Sequence, residues 1–511
     1  MNEKFVSFNL KKKIESLPVG WISAKLNIIS EKIVDGTHFT PQYTSSGIPF
    51  ISVKDIRDNK ISFDDCKYIS EETHNELKKR CNPENDDILI TKSGTIGRIA
   101  VVKTNKKFSL FVSVALIKPY KKFIDSQFLA YELNNYINHI DIQQSIKGGV
   151  IKNFHLEDLK EVKIFLAPYN EQKRIVSKLE ELFTKLDAGI EYLKKTRILL
   201  KQYRQSIFKH VFEGKLTEKW RKENKNNSIF LEKIFMHQNY ELEIEQIKKD
   251  SEIYGINEFP KEWAWVRIKN IAEKIQYGTS EKAIGYSNGI PVLRMGNIFD
   301  GKIIYDNLKY YPSNWSHLNE FLLEDGDVLF NRTNSAELVG KTAIYQSSYL
   351  KSVFASYLIR IKILKNYYNP MILSYFINSI YGRKFIKSVV SQQVGQANVN
   401  GTKLSLMPIP LISLLEQSQI IDEIEKRISK IENTSKILKS NINYGMRLKS
   451  NILRYAFEGK LIPQDPNDEP AEILLEKIKR EQELNSPVRK EKSKIIKKKS
   501  NDIDNKQMRL M

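Results

Sequence analysis

Cysteine is nearly missing from this 511-residue chain: Cys66 and Cys81 are the only two, and no Cys-x-x-Cys or Cys/His cluster surrounds them. A disulfide framework and a structural zinc site are therefore not expected. Apolar runs are short as well. None reaches the ~18 residues that a membrane-crossing helix needs, and residues 1–17 are polar and Lys-rich, with no stretch of signal-peptide length. The chain is expected to be cytoplasmic. The seven histidines are scattered, with no His-Glu-x-x-His spacing. An amino-methyltransferase would need an Asn/Asp-Pro-Pro-Tyr-type loop, and neither Asn82-Pro83-Glu84 nor Asn369-Pro370-Met371 supplies one. Residues 335–342 (Ser-Ala-Glu-Leu-Val-Gly-Lys-Thr) imitate a phosphate-binding loop but carry Ser where the first Gly must let the backbone wrap a phosphate. No cofactor or metal is expected, and no catalytic residue stands out.

What the chain has in excess is positive charge. It carries 82 Lys+Arg against 61 Asp+Glu, a formal net charge of +21. Such a surplus favours a polyanionic partner, because neutralising phosphates releases their condensed counterions. A composition rich in Lys, Asn and Ile throughout is the other source of the same surplus.

It also has a repeat. Leu17-Pro18 and Trp21 return as Phe259-Pro260 and Trp263, Gly36-Thr37 as Gly278-Thr279, and Gly47-Ile48-Pro49 as Gly289-Ile290-Pro291. Asp87-Ile88-Leu89 matches Asp327-Val328-Leu329, Glu171-Gln172 matches Glu416-Gln417, and Phe212-Glu213-Gly214-Lys215-Leu216 matches Phe457-Glu458-Gly459-Lys460-Leu461. Even the segment after the helix echoes, Leu231-Glu232-Lys233-Ile234 as Leu475-Glu476-Lys477-Ile478. Chance does not place so many matches in order, so the chain is a tandem duplication.

The first part of each copy reads as short strands (48–53, 86–91 and 99–102; 290–295, 327–331 and 342–345) separated by Gly-containing turns at 93–97 and 335–340. Helical patterns follow at 125–140 and 369–388. A mixed α/β domain with an irregular, partly antiparallel sheet is expected. From 171 to 213, and from 416 to 458, there is no Pro and one Gly, and apolar residues recur at spacings of three and four: Val176, Leu179, Phe183, Leu186, Ile190, then Ile421, Ile424, Ile428, Ile431. This is a heptad seam that needs a partner helix. The two helices most simply pair with each other, antiparallel, as rods of ~65 Å at ~1.5 Å per residue. Two unrelated amphipathic helices, each packed on its own domain, would carry the same pattern.

The loops after equivalent strands are rich in groups that reach phosphates and base edges. Copy one offers Thr37, His38, Lys54, Thr91, Lys92, Ser93 and Arg98. Copy two offers Thr279, Arg294, Asn331, Arg332, Thr333, Asn334 and Lys341, with Gln392, Gln393, Gln396 and Asn398. Arg suits guanine, Asn and Gln suit adenine, and Lys, Ser and Thr suit phosphate. Each alone reads first as an ordinary polar loop residue, and the set is worth more than its members. The two copies diverge most in these loops while keeping their scaffold residues, which points to two different half-sites.

In these features the chain resembles the specificity subunit of type I restriction–modification systems. Leu-Pro-x-Gly-Trp (17–21) and Phe-Pro-Lys-Glu-Trp (259–263) carry the resemblance, with Gly-Ile-Pro-Phe-Ile (47–51), Asp-Asp-Ile-Leu-Ile and Ser-Gly-Thr-Ile-Gly (86–97), the two Phe-Glu-Gly-Lys-Leu helix ends, and Asp-Pro-Asn-Asp-Glu-Pro-Ala (465–471) followed by 474–480. Copy two departs from it, with Asn331-Arg332-Thr333-Asn334 where a Ser-Gly turn is usual. The resemblance implies two target-recognition domains joined by a helical pair, a bipartite asymmetric target in double-stranded DNA, and two methyltransferase and also restriction subunits as partners. Those partners would hold S-adenosylmethionine, ATP and magnesium. The expected layout is a first recognition domain at 1–168, a helix at 169–216, a linker at 217–256, a second recognition domain at 257–413, a second helix at 414–461, and a C-terminal segment with a basic tail at 462–511. The 474–480 segment and the free helix faces are candidate docking surfaces. A self-contained DNA methyltransferase or nuclease, and a basic helical scaffold, are the alternatives.

Overall fold

The strand Ile88–Thr91 is buried along its whole length, because alternate side chains enter two different cores. In the computed structural model Ile88 and Ile90 join Ala115, Ile117, Trp21 and Phe128 on one face, while Leu89 joins Val114, Leu116 and Phe108 on the other. That is the period of two of a strand covered on both faces. The strand sits inside a four-stranded antiparallel sheet in the order Ser30–Asp35, Val114–Pro119, Ile88–Thr91, Ile99–Val101. Copy two repeats the order with Ala272–Tyr277, Leu358–Ile363, Val328–Asn331 and Thr342–Ile344. The alternation returns too: Val328 and Phe330 face one core, and Leu329 the other. The expected strands are present, trimmed by one to two residues at their ends. Lys341-Thr342 leads into a strand, so no helix N-terminus stands where a phosphate-binding loop requires one.

The structure describes residues 17–485 except 58, 140–145, 148–152, 225–239, 256–259, 284, 286–288, 347, 349 and 394–395. The lead before Leu17, the linker echo at 231–234 and the basic tail lie outside the described residues. Two units divide the chain, one made of residues 1–192 with 441–511, the other of 193–440.

Each unit also has a small mixed sheet. Ile48–Ile51 pairs antiparallel with Lys67–Ile69 and parallel with Ser109–Leu110. Ile290–Leu293 does the same with Lys309–Tyr311 and Val353–Phe354. The repeated Gly-Thr is explained here: a Cβ on Gly36 would lie 2.0 Å from Leu110 O, and one on Gly278 2.4 Å from Ala355 O. Only glycine allows that approach.

The two long helices run Tyr169–Phe212 and Leu414–Phe457. Their repeated Gln is a structural clamp. Gln172 donates to Ala167 O (2.8 Å) and accepts from Asp125 N (2.9 Å); Gln417 donates to Ile412 O (2.6 Å) and accepts from Asn369 N (2.6 Å). Their ends are alike as well. Gly214 (φ +69°) and Gly459 (φ +67°) adopt the left-handed conformation, and Lys215 N and Lys460 N reach back to His210 O and Tyr455 O at 2.9 Å. This satisfies carbonyls the helix leaves free.

The heptad seam is shared in halves. In the first unit, 169–192 packs antiparallel on 441–457: Gly445 lies against Ile190 and Leu186, and Lys449 bonds Asp187 at 2.7 Å. In the second unit Ile207, Val211 and Leu200 pack in one core with Ile421, Ile424 and Ile431. Each helix thus gives its N-terminal half to its own copy and its C-terminal half to the other. The pattern expected as one helix at 369–388 is two, Pro370–Asn378 and Ile380–Val389. Ser379 leaves helical geometry (ψ 170°) and caps the second by accepting from Tyr381 N and Gly382 N, a local competition that serine offers the backbone.

Residues 464–478 close on Val19–Gly20 and on the first long helix inside the first unit. Ala471 N donates to Gly20 O (2.8 Å), Gln464 Nε2 to Val19 O (2.8 Å), and Arg174 pairs with Asp468 (2.5 Å). Ala471, Leu474 and Ile478 of the last helix (Ala471–Asn485) are buried in that core. The apolar face of 474–480 is therefore spent internally, and the docking surface expected there is confined to its polar side. Cys66 and Cys81 are buried and free. No described helix is long and apolar enough to cross a membrane.

Candidate DNA interface

Both units hold a cation in the same main-chain frame, at the residue where the central strand ends. Lys92 N donates to Ser113 O (2.9 Å), and Lys92 O accepts from Phe154 N (2.7 Å). In the second unit Arg332 N donates to Tyr357 O (3.0 Å), and Arg332 O accepts from Val399 N (2.9 Å). The short strands Ile146–Lys147 and Asn153–Phe154, or Ser391–Gln393 and Gln396–Asn398, come in beside this position.

The side chains then differ. Lys92 is 7% exposed and pairs with Asp35 at 2.9 Å. Arg80 and His38 reach the other Asp35 oxygen at 2.5 and 3.2 Å. Burial alone would raise the Asp35 carboxyl, but Lys92 and His38 outweigh it and hold the group below its ordinary range. The counterpart of Asp35 in the repeat is Tyr277. There Arg332 lies over the Tyr277 ring at 4.8 Å, with Asn398 Oδ1 at 3.5 Å and Ser356 O at 3.4 Å. Asn398 in turn donates to Thr333 Oγ1 (3.1 Å).

The remaining residues expected at the site divide by what they bond. Thr37 and Thr279 are buried at bridges to Phe111 and Ala355. Thr91 is buried, donating to Thr95 O and accepting from Arg98 N, so it builds the Ser93–Gly97 turn. Arg98 turns back onto Ile56 O (3.1 Å), and Lys54 bonds Asp65 O (2.6 Å). Arg294 donates to Asn307 O, Asn334 accepts from Ser335 N, and Lys341 lies over Phe299 at 5.5 Å. Asn331 is fully buried and its side-chain amide has no protein partner. Ser93 is half-buried on the turn. Gln392, Gln393 and Gln396 lie on the paired strands beside Thr333–Asn334, their side chains outside the described residues. Together the structure gathers Arg332, Thr333, Asn398 and the Gln strands in one unit, and His38 and Lys92 in the other.

Sequence reasoning missed Asp35, Arg80 and Tyr277. Arg80 and Asp35 are 45 residues apart with no motif between them. Tyr277 was available, since it precedes Gly278-Thr279 as Asp35 precedes Gly36-Thr37. Among the described residues no group of three His, Cys, Asp or Glu could hold a metal. Arg, Asn, Thr and Lys at strand ends make an array of donors, suited to recognition rather than bond-breaking.

Comparison with known proteins agrees. The chain is 24% identical to the EcoKI specificity subunit of Escherichia coli (strain K12) over 482 residues, 91% of this chain and 96% of that one. It is 23% identical to the StySPI specificity subunit of Salmonella potsdam over 481 residues, with the same coverage. A chain from a structure described as a type I R-M system in assembly and conformational transition superposes with a TM-score of 0.59 at 17% identity, covering 87% of this chain and 99% of that one. The model of the type I restriction modification DNA specificity domain matches twice, at 18–198 and 260–441. Two such domains in one duplicated chain place this protein in the type I restriction–modification family, among its DNA-recognising specificity subunits.

Proposed function

We propose that each unit reads one half of an asymmetric, bipartite sequence in double-stranded DNA, and that the chain directs methyltransferase and restriction subunits to it in the cytoplasm without chemistry of its own. The observation that carries this is the shared main-chain frame around Lys92 and Arg332 with different side chains in it. One scaffold with two chemistries reads two different half-sites. The recognition domains are residues 1–168 and 257–413, and the two helices, at 169–216 and 414–461, set the spacer by their length, since half-sites read from one face repeat each ~34 Å helical turn.

Two methyltransferase subunits fit the repeat. The first unit exposes Tyr192 (71%) and Tyr444 (66%), and the second exposes Ile437 (59%) and Leu199 (61%). Tyr192 and Ile437 are repeat counterparts, as are Leu199 and Tyr444. Each unit thus offers one apolar pair at equivalent helix positions, which suits two copies of one partner.

The test is methylation mapping in cells expressing the chain with its methyltransferase. Replacing 17–165 by the matching segment of another specificity subunit is expected to change one half-site and leave the second intact. One heptad inserted in both helices is expected to lengthen the spacer. Simultaneous change in both half-sites after the swap, or an unaltered spacer after the insertion, contradicts the respective part.

A further inference from the structure

We propose that Arg332 is the guanine-reading side chain of the second half-site; this rests on the DNA-reading function above and names its determinant. Other arginines of the second unit hold shorter bonds than Arg332 does. Arg294 is bonded to Asn307 O. Arg360 is buried between Asp327, Gln276 and the carbonyls of Leu322 and Glu320. Arg383 donates to Val339 O and Glu337 O. Arg332 differs: its two hydrogen bonds, one from each Nη, are long, 3.4 and 3.5 Å.

Its orientation is nevertheless set. The guanidinium lies over the Tyr277 ring at 4.8 Å, and the Tyr277 hydroxyl is itself fixed by accepting from Gly401 N at 2.6 Å. Tyr277 stays 41% exposed. A planar fork held over a ring, with its Nη donors only loosely engaged, suits O6 and N7 of guanine, which it can meet with two parallel bonds. A guanidinium already held over a ring also loses little freedom on binding. The same position in the first unit cannot work this way. Lys92 has no fork, is almost wholly buried, and its charge is neutralised by Asp35 at 2.9 Å. The second half-site therefore contains a guanine whose recognition depends on Arg332, and the first half-site has no equivalent read by Lys92.

The experiment uses the full chain in complex with its methyltransferase, and 30-base-pair duplexes carrying the mapped methylation target. Each guanine of the second half-site is replaced in turn by 7-deazaguanine, which lacks the N7 acceptor. For the wild-type complex one replacement is expected to weaken binding ~10- to 100-fold, the range of a bidentate base contact. Arg332→Ala and Arg332→Lys are expected to bind the unmodified target weaker by a similar factor and to be indifferent to that replacement. Their discrimination at the first half-site is expected to stay intact, which also shows that the variants fold. Three outcomes overturn the proposal: a second half-site without guanine, variants as sensitive to 7-deazaguanine as wild type, or equal losses on target and random duplexes, which would mark a phosphate contact. If the wild-type complex itself does not distinguish target from random duplex, it is the underlying function that fails.

Discussion

The hairpin at Ile298–Ile303 in the second unit is tied to both long helices, whereas in the first unit the counterparts of the two helix residues bond each other. Asp300 pairs with Arg204, which also donates to Asp300 O at 3.0 Å, and Lys302 pairs with Glu432 at 2.6 Å. The repeat counterparts of Arg204 and Glu432 are Lys449 and Asp187, and those two bond each other at 2.7 Å. The same helix positions are charged in both copies, yet one pair holds a hairpin and the other closes on itself. The contrast between Lys92 and Arg332 follows the same rule. Duplication preserved where the groups stand, and divergence changed which group each one faces.

The largest expected effect lies at the start of the long helices. Glu416 accepts from Trp263 Nε1 (2.8 Å), Thr217 Oγ1 (2.7 Å) and Arg221 Nη2 (2.9 Å) while 3% exposed. Glu416→Leu strands a buried guanidinium, and should cost the second unit about 3–5 kcal/mol, read by chemical denaturation followed with domain-specific probes. Glu171, its counterpart, is as buried, but its nearest cation Arg174 is bonded to Asp468. Burial raises the Glu171 carboxyl above its ordinary value of 4.5, despite opposing help from Trp21 and Gln464. A raised folded value means that its contribution to stability is full below 4.5 and is lost as pH rises through the folded value. Glu171→Gln should therefore remove a pH dependence of the first unit and cost it little at neutral pH. Equal losses from both substitutions would erase the comparison.

A smaller effect, similar in the two units, is expected at the helix ends. A Cβ on Gly214 would lie 2.2 Å from Pro260 Cγ, and one on Gly459 2.1 Å from Pro18 Cγ. Gly214→Ala and Gly459→Ala should each cost about 2 kcal/mol, ~1 of it from left-handed backbone and the rest from displacing the proline ring. Only Gly214 also has Arg221 Nη2 within 3.0 Å of the added Cβ, so melting curves in which Gly459→Ala is the costlier by more than about 1 kcal/mol would contradict the geometry.

The hairpins should give the smallest signal. Removing both ties with Arg204→Ala and Glu432→Ala is expected to cost about 0.5–1 kcal/mol, the worth of partly exposed ion pairs. Hydrogen exchange should then quicken a few-fold at 298–303. Asp187→Ala with Lys449→Ala should leave exchange at Lys60 and Ile61 unchanged, and an acceleration there that matches the one at 302–303 would break the contrast.

The repeat made much of the fold legible in advance. Gly36, Gly214 and Gln172 are constrained by backbone geometry that recurs at Gly278, Gly459 and Gln417, so identity in sequence tracked identity of structural task. The heptads located both long helices for the same reason. The break at Ser379 was not legible, because the apolar pattern runs on through it and a serine inside such a pattern does not say whether it caps or continues the helix. The site was read least well. Lys92, Thr37 and Thr279 have the composition of DNA contacts, yet burial decides their use, and Asp35 meets Arg80 only once the sheet has formed. Polar type in a loop says what a residue can bond, not what it has already bonded.

The sharing of the long helices also dictates an order of assembly. Residues 193–440 form an uninterrupted stretch, whereas the first unit needs 441–457 and 471–485 to fill its core. During synthesis the second unit can close as soon as its own residues have emerged. The first unit must wait for 441–485, holding Trp21 and Phe183 unfinished until Phe457 and Ile478 arrive. A ribosome that stops short of the C-terminal helix thus releases a chain whose later half is complete and whose earlier half is not.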